Sequence, residues 1–161
     1  MTILSISLGT KTSAVTVLRN KELEDRQTHN FRGPWSSKKA ERIINRYARY
    51  LLLYRVDCMV VKVPPPAHHS KPIKLLLRLL PAIIPPGCMV DYTTKKELKT
   101  IIRVKNTAEM KKLAVQLYPQ LRREYCKSKR TKHHYHRKMF EAVVTAHVWR
   151  ERCLQKMVKE K

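Results

Sequence analysis

Glycine and long apolar runs are scarce in this sequence. Only 3 of the 161 residues are glycine, which excludes collagen-like and glycine-rich linker classes. The most apolar stretch, residues 73–90, is interrupted by two basic residues and three prolines, so we expect no membrane-spanning helix. The first residues have no basic region before an apolar segment, so a secretory signal is not expected either.

The cysteines form no paired motif. Zinc needs four nitrogen or sulfur ligands at suitable spacing, and the cluster of His133, His134 and His136 near Cys126 is not accompanied by a cysteine pair. We therefore predict no metal site, free thiols and a reducing intracellular location, either cytoplasmic or nucleoid-associated. The four cysteines are Cys58, Cys88, Cys126 and Cys153.

Acidic residues are few beside the basic ones. The chain has 35 Lys and Arg against 12 Asp and Glu, a formal net charge of +23, and 43% hydrophobic residues. The hydrophobic fraction can build a core, and the length fits a single domain over residues 1–161. A folded body with this charge repels itself, so a polyanionic partner is expected. Nucleic acid is the leading candidate, ahead of an anionic membrane surface.

Apolar periodicity and capping residues predict alternating strands and helices. A turn is expected over residues 21–25, and the final helix is predicted over residues 135–157. The predicted strands are two within residues 3–18 and one each over 27–31, 57–63 and 88–92. The predicted helix caps are Ser36 or Ser37, Ser70, Thr94 and Asn106. This order predicts an α/β protein with the ribonuclease H-like fold, a mixed five-stranded sheet flanked by helices.

Three segments resemble the RuvC-type Holliday-junction resolvases. Residues 3–12 resemble the family's first strand and turn, with Gly9-Thr10 retained and Ser7 at the position of the family's Asp. Residues 57–62 resemble its fourth strand, with Lys62 at the position of a catalytic Glu. Residues 92–99 resemble the entry to the helix that follows its fifth strand.

The start of the last helix completes the resemblance, which covers nearly the whole chain. The family has two Asp three residues apart there, and in this sequence Lys138 and Glu141 take those positions. The resemblance implies nucleic-acid binding, phosphodiester hydrolysis by two metal ions, and a homodimer whose twofold symmetry matches a four-way junction.

The missing acids argue against cleavage. Two Mg²⁺ ions need a cluster of carboxylates, but three of the four acid positions are Ser7, Lys62 and Lys138. A lysine could instead contact phosphate directly. We therefore predict a nucleic-acid-binding protein without nuclease activity and without a cofactor.

Two alternatives stay open at this stage. One is an active Mg²⁺-dependent, structure-specific endonuclease with a rearranged site, for which Asp91 and Glu141 are the candidate catalytic residues. The other is a basic structural component of a ribonucleoprotein particle, in which the charge serves RNA packing.

Basic residues concentrate in one part of the chain. Residues 95–138 contain fifteen Lys and Arg against three acids, and residues 122–138 are expected to form a basic loop. Lysine and arginine neutralise phosphates, whereas nothing in the pattern indicates base-specific contacts. The partner would be branched or duplex DNA, or structured RNA. The predicted nucleic-acid-binding residues are Lys11, Lys62, Lys95, Lys96, Lys99, Arg103, Lys105, Lys127, Lys129, Arg130, Lys132, Arg137 and Lys138.

Overall fold

Five strands form a mixed sheet with helices on both faces, as predicted. The computed structural model describes residues 1–130 and 136–161. The sheet order is β3-β2-β1-β4-β5, in which β1, β2 and β3 are antiparallel neighbours and β4 and β5 run parallel to β1. The strands are β1 (Thr2–Ser7), β2 (Thr12–Arg19), β3 (Glu22–Asn30), β4 (Cys58–Val63) and β5 (Met89–Thr94).

The turn predicted over residues 21–25 is wrong, because β3 begins at Glu22. The chain reverses at Asn20, which has a φ of 55°, a conformation that Asn tolerates better than most residues. Leu23 is buried between exposed charged neighbours. The charges that suggested a turn therefore lie on the solvent face of an edge strand.

Four of the helices begin at the predicted caps. The hydroxyls of Ser36, Ser70 and Thr94 and the amide oxygen of Asn106 each accept a hydrogen bond from the backbone N–H three residues later. The helices are α1 (Ser37–Leu53), α2 (Lys71–Leu79), α3 (Lys95–Ile102), α4 (Thr107–Leu117), α5 (Arg122–Arg130) and α6 (Arg137–Lys159). Short 3₁₀ segments lie at Pro66–His68, Leu80–Ile83 and Pro119–Leu121.

The basic stretch over residues 122–138 is largely helical, which corrects the expected loop. Arg122–Arg130 forms α5 and Arg137 begins α6. The stretch contains neither glycine nor proline, and Tyr125 on α5 packs edge-on against Phe140 on α6. The apolar contact holds this charged segment as a helix. Lys132, His133 and His134 lie outside the described residues.

Two hydrophobic cores lie on opposite faces of the sheet. Leu4 and Ile6 of β1 face α1 and α2, whereas Ile3 faces the core built by α3, α4 and α6. Ten residues of α6 between Met139 and Trp149 are buried, and they fix the helix on the sheet. The first turns of α6 are thereby held beside the ends of β1 and β4. Within residues 1–130 and 136–161, no helix is long and apolar enough to cross a membrane.

Candidate functional site

One buried carboxylate is the centre of the candidate site. β1 and β4 are parallel, so Ser7 and Lys62 lie side by side at the carboxyl ends of these strands. Glu141 of α6 is only 1% exposed. Its Oε2 atom accepts hydrogen bonds from Ser7 Oγ at 3.3 Å and from Lys62 Nζ at 2.5 Å. The first strand, the fourth strand and the last helix are therefore joined at one oxygen atom.

Two more cations face the other oxygen of Glu141. Lys95 Nζ, at the start of α3, lies 3.2 Å from Oε1, and Arg137 Nε, one turn earlier on α6, lies 3.4 Å from it. Within the described part of the chain, Oε1 accepts no well-formed hydrogen bond, so charge rather than directed bonding holds it. Lys95 Nζ also donates a hydrogen bond to Thr107 Oγ1 at 2.9 Å.

Lys138 completes the group of basic side chains. Its Nζ atom donates a hydrogen bond to the Leu8 carbonyl at 3.1 Å. A Cβ atom placed on Gly9 would collide with Lys138 Nζ and with the Thr12 carbonyl oxygen. Glycine is therefore required at position 9 because lysine and backbone approach it closely. We refer to Ser7, Lys62, Lys95, Arg137, Lys138 and Glu141 as the Glu141 cluster.

The pKa values in the cluster reflect burial and charge together. Burial raises the pKa of Glu141, but the Lys62 and Lys95 ammonium groups outweigh it and hold the pKa below its ordinary value. Burial lowers the pKa of Lys138 to about 8, with repulsion from Lys62 adding to the effect. Burial also lowers the pKa of Lys95 despite the nearby Glu141. Three basic side chains, those of Lys62, Lys95 and Arg137, therefore face one carboxylate, and Lys138 lies nearby.

The cluster brings together the positions that the resemblance singled out. Ser7 and Lys62 contact Glu141 directly, while Lys138 lies close enough to both Lys62 and Glu141 to be shifted by their charges. Of the other predicted nucleic-acid-binding residues, Lys95 and Arg137 join the same cluster.

Asp91 is not part of the cluster. It pairs with Val60 in the middle of β5, two residues before the level of Ser7 and Lys62. Its Oδ2 atom accepts a hydrogen bond from Trp149 Nε1 at 2.8 Å. Trp149 follows Glu141 by eight residues, about 12 Å along a helix axis. The structure therefore does not bring Asp91 and Glu141 together. β5 continues to Thr94, beyond its predicted end at residue 92, so Asp91 lies within the strand and not at its end.

The residues present do not fit the two metal ions of the RuvC-type family. Mg²⁺ requires several oxygen ligands, chiefly carboxylates, whereas both oxygens of Glu141 face cations. No group of three His, Cys, Asp or Glu side chains in residues 1–130 and 136–161 is arranged to hold a metal.

The remaining predicted binding residues lie on surfaces around the cluster. Lys11 is exposed in the turn between β1 and β2. Lys96 and Lys99 are on α3, Arg103 ends that helix with a φ of 55°, and Lys105 follows. The residues on α5 are Lys127, Lys129 and Arg130. Lys132 lies outside the described residues.

Lys111 is a basic residue of this region that the sequence analysis did not single out. It is half-buried on α4, and its Nζ atom lies 5.8 Å from the centre of the Phe140 ring. Its spacing within α4 is compatible with an ordinary solvent-facing lysine, so no signal in the sequence distinguishes it.

Solved structures share this fold at low sequence identity. Thermus thermophilus RuvC in complex with a Holliday junction substrate is 12% identical, with a TM-score of 0.68 over 92% of each chain. A second T. thermophilus RuvC structure is 11% identical, with a TM-score of 0.67 over 92% of this chain and 95% of that one. Fowlpox virus resolvase, in complex with substrate Holliday junction DNA, is 14% identical, with a TM-score of 0.59 over 96% and 99%.

No protein-family model matches the chain, and no curated protein sequence matches it significantly. The likeness is thus one of architecture, and it agrees with the strand order and with the position of the final helix. The chain has the RuvC-like, ribonuclease H-like fold.

Proposed function

We propose that this protein binds nucleic acid through the Glu141 cluster and does not cleave it. The observation that carries the proposal is the pairing of Glu141 with Lys62, Lys95 and Arg137. Two of the cluster's cations, Lys62 and Lys138, stand at positions where the RuvC-type pattern has metal-binding carboxylates. Lysine and arginine can hold a phosphodiester directly through charge-assisted hydrogen bonds.

The same arrangement works against hydrolysis. A water molecule attacking phosphorus must lose a proton to a base or be activated by a metal. Glu141 is the cluster's only carboxylate, and its low pKa and its ion pairs make it a poor proton acceptor. A phosphate held by these cations would therefore be bound without being attacked.

Duplex or branched DNA is the proposed partner. Two of the solved structures with this fold are complexes with Holliday junctions, and the basic surface of this chain continues from the cluster along α3 and α5. A homodimer is proposed with it, because a twofold-symmetric protein matches a four-way junction. Light scattering of the purified protein, alone and with a junction, would test the dimer.

Binding is tested by fluorescence anisotropy with a four-way junction, a linear duplex of the same strands and an RNA hairpin. We expect DNA binding that weakens steeply with salt. Lys62→Gln is compared with Lys74→Gln, which removes the same charge from an exposed position on α2. Only the substitution at Lys62 should weaken binding beyond the general effect of charge, and equal losses would contradict the proposed site. Thermal melting of both variants shows whether they remain folded.

Catalysis is tested by incubating the protein with branched and linear DNA in Mg²⁺ or Mn²⁺. We expect no cleavage. Cleavage that disappears in Glu141→Ala would overturn the proposal in favour of a metal-dependent endonuclease with a rearranged site. A parallel Asp91→Ala variant would show whether that carboxylate takes part.

A ribonucleoprotein component is the other outcome to be separated. Nuclease-resistant RNA that copurifies with the protein, together with equal affinity for branched and linear DNA, would favour it. Stronger binding to DNA than to the RNA hairpin would count against it.

A further inference from the structure

A cavity of about 400 Å³ lies beside the Glu141 cluster, between the start of α4, helix α5 and the first turn of α6. Its lining includes Thr107, Lys111, Tyr125, Lys129 and Arg137. Three of these side chains are cationic, and none of the described residues that line the cavity is acidic. The composition is that of an anion site.

Aromatic rings, rather than carboxylates, position two of the ammonium groups. Lys129 Nζ lies 4.4 Å from the centre of the Tyr125 ring, and Lys111 Nζ lies 5.8 Å from the centre of the Phe140 ring. The two rings pack edge to face, with their centres 6.4 Å apart. A ring face attracts a cation without neutralising its charge. Both ring contacts therefore hold a lysine in place without neutralising its charge.

The cavity is continuous with the Glu141 cluster through shared residues. Arg137 lines the cavity and faces Glu141 Oε1 at 3.4 Å. Thr107 lines it and accepts a hydrogen bond from Lys95 Nζ. Burial lowers the pKa of Lys111, and repulsion from Arg137 lowers it further, so these two cations are close together and only partly compensated.

We propose that this cavity is a second phosphate-binding site, which takes a backbone phosphate of the same nucleic acid that contacts the Glu141 cluster. Lys111 and Lys129 would donate hydrogen bonds to its oxygens, and Arg137 would be shared between the two sites. The inference rests on the proposed function, because it assigns a second contact to the same ligand.

The salt dependence of DNA binding tests the proposal in the full chain. Loss of one phosphate contact lowers the slope of log K against log salt by about 0.9 for duplex DNA. We expect this decrease in Lys111→Gln/Lys129→Gln. The matched control is Lys74→Gln/Lys112→Gln, which removes two exposed lysines from α2 and α4 and should retain the original slope. The charge-preserving Lys111→Arg/Lys129→Arg variant should retain it as well.

Inorganic phosphate provides a probe that does not depend on nucleic acid. Titration of the isotopically labelled protein should give saturable amide shifts in residues 107–111 and 125–129, and Lys111→Gln/Lys129→Gln should abolish the saturation. Equal salt slopes in the two double variants, with no saturable shift, would overturn the second site alone. A wild-type protein that binds neither DNA nor RNA would instead overturn the proposed function.

Discussion

Two carboxylates, one on α6 and one packed against it, lie in opposite surroundings. Glu141, in the second turn of the helix, is buried and faces two lysines and an arginine. Asp91 is exposed on the edge strand β5 and accepts hydrogen bonds from the indole of Trp149 and from the Tyr92 backbone. A carboxylate held by three cations cannot be removed without leaving like charges together, whereas one held by neutral donors can.

The difference arises from the register of the sheet. Ser7, Lys62 and Thr93 form one row across β1, β4 and β5, while Ser5, Val60 and Asp91 form the row two residues earlier. In the later row, Ser7 and Lys62 contact Glu141 in the second turn of α6, whereas Asp91 of the earlier row contacts Trp149. A shift of two residues along a strand therefore separates the Glu141 cluster from the hydrogen bond between Asp91 and Trp149.

The largest expected effect is that of Glu141→Ala on stability. Removal of one partner from a buried ion pair typically costs about 3–5 kcal/mol, because the remaining charges are left uncompensated. We expect a loss of this size in the free energy of unfolding, measured by urea denaturation. Glu41→Ala, at an exposed position on α1, should change it by less than about 0.5 kcal/mol. Similar losses in both variants would contradict the expected difference between the buried and the exposed glutamate.

Gly9→Ala tests how tightly the cluster is packed. The added methyl group would collide with the Thr12 carbonyl and the Lys138 ammonium, so we expect a loss of about 1–3 kcal/mol in the free energy of unfolding. The cost should be smaller in a Lys138→Ala background, because one of the two obstacles is then absent. Additive effects in this double-mutant cycle would show that the backbone alone excludes a side chain.

Asp91→Ala should have a smaller effect. It removes the acceptor for Trp149 Nε1, which we expect to cost about 1 kcal/mol. DNA affinity measured by anisotropy should stay the same, because Asp91 lies away from the Glu141 cluster. A clear change in affinity, or the loss of a cleavage activity, would assign Asp91 to the site.

The smallest effect concerns pH. Burial lowers the pKa of Lys138 to about 8, between Lys62, Arg137 and Glu141, so its charge is lost between pH 7 and 9. We expect DNA affinity to fall roughly threefold over that interval, as for one weakened phosphate contact. Lys138→Arg should remove the part of this pH dependence that is due to Lys138. A pH profile identical to that of the wild type would contradict the assignment of the pH dependence to Lys138.

The same pKa shift has the opposite effect on stability, because it makes the free energy of unfolding rise with pH. The ordinary pKa of lysine is 10.5, so between pH 8 and that value the unfolded chain binds more protons at position 138 than the folded one. The contribution of Lys138 to the free energy of unfolding therefore rises with pH across this window. Denaturation at pH 8 and pH 10 should show less increase in Lys138→Arg than in the wild type.

Local signals in the sequence predicted most of the fold. Each cap requires only a side chain and the backbone three residues later, so Ser36, Ser70, Thr94 and Asn106 could be identified without the structure. The beginning of β3 could not, because a charged edge strand and a turn share the same composition. The helical form of residues 122–130 depends on packing between Tyr125 and Phe140, which belong to different helices.

The candidate site was predictable only in part. The resemblance aligned Ser7, Lys62, Lys138 and Glu141, and the structure brings these residues together. It could not indicate that Lys95 would share the carboxylate, or that Asp91 would bond to Trp149, because both contacts depend on the placement of β5 and α6. The aromatic support of Lys111 and Lys129 likewise requires three elements to be packed together.

The sequence separation of the contacts made by Glu141 and Lys138 indicates when they form during folding. Ser7 and Glu141 are separated by 134 positions, Leu8 and Lys138 by 130, and Lys62 and Glu141 by 79. Contacts of such long range form late and slowly, since a large loop must close before they stabilise the chain. During synthesis, the first strand is complete long before its partners on α6 emerge from the ribosome. The Glu141 cluster therefore cannot exist in the nascent chain and forms only when the last helix docks on the sheet.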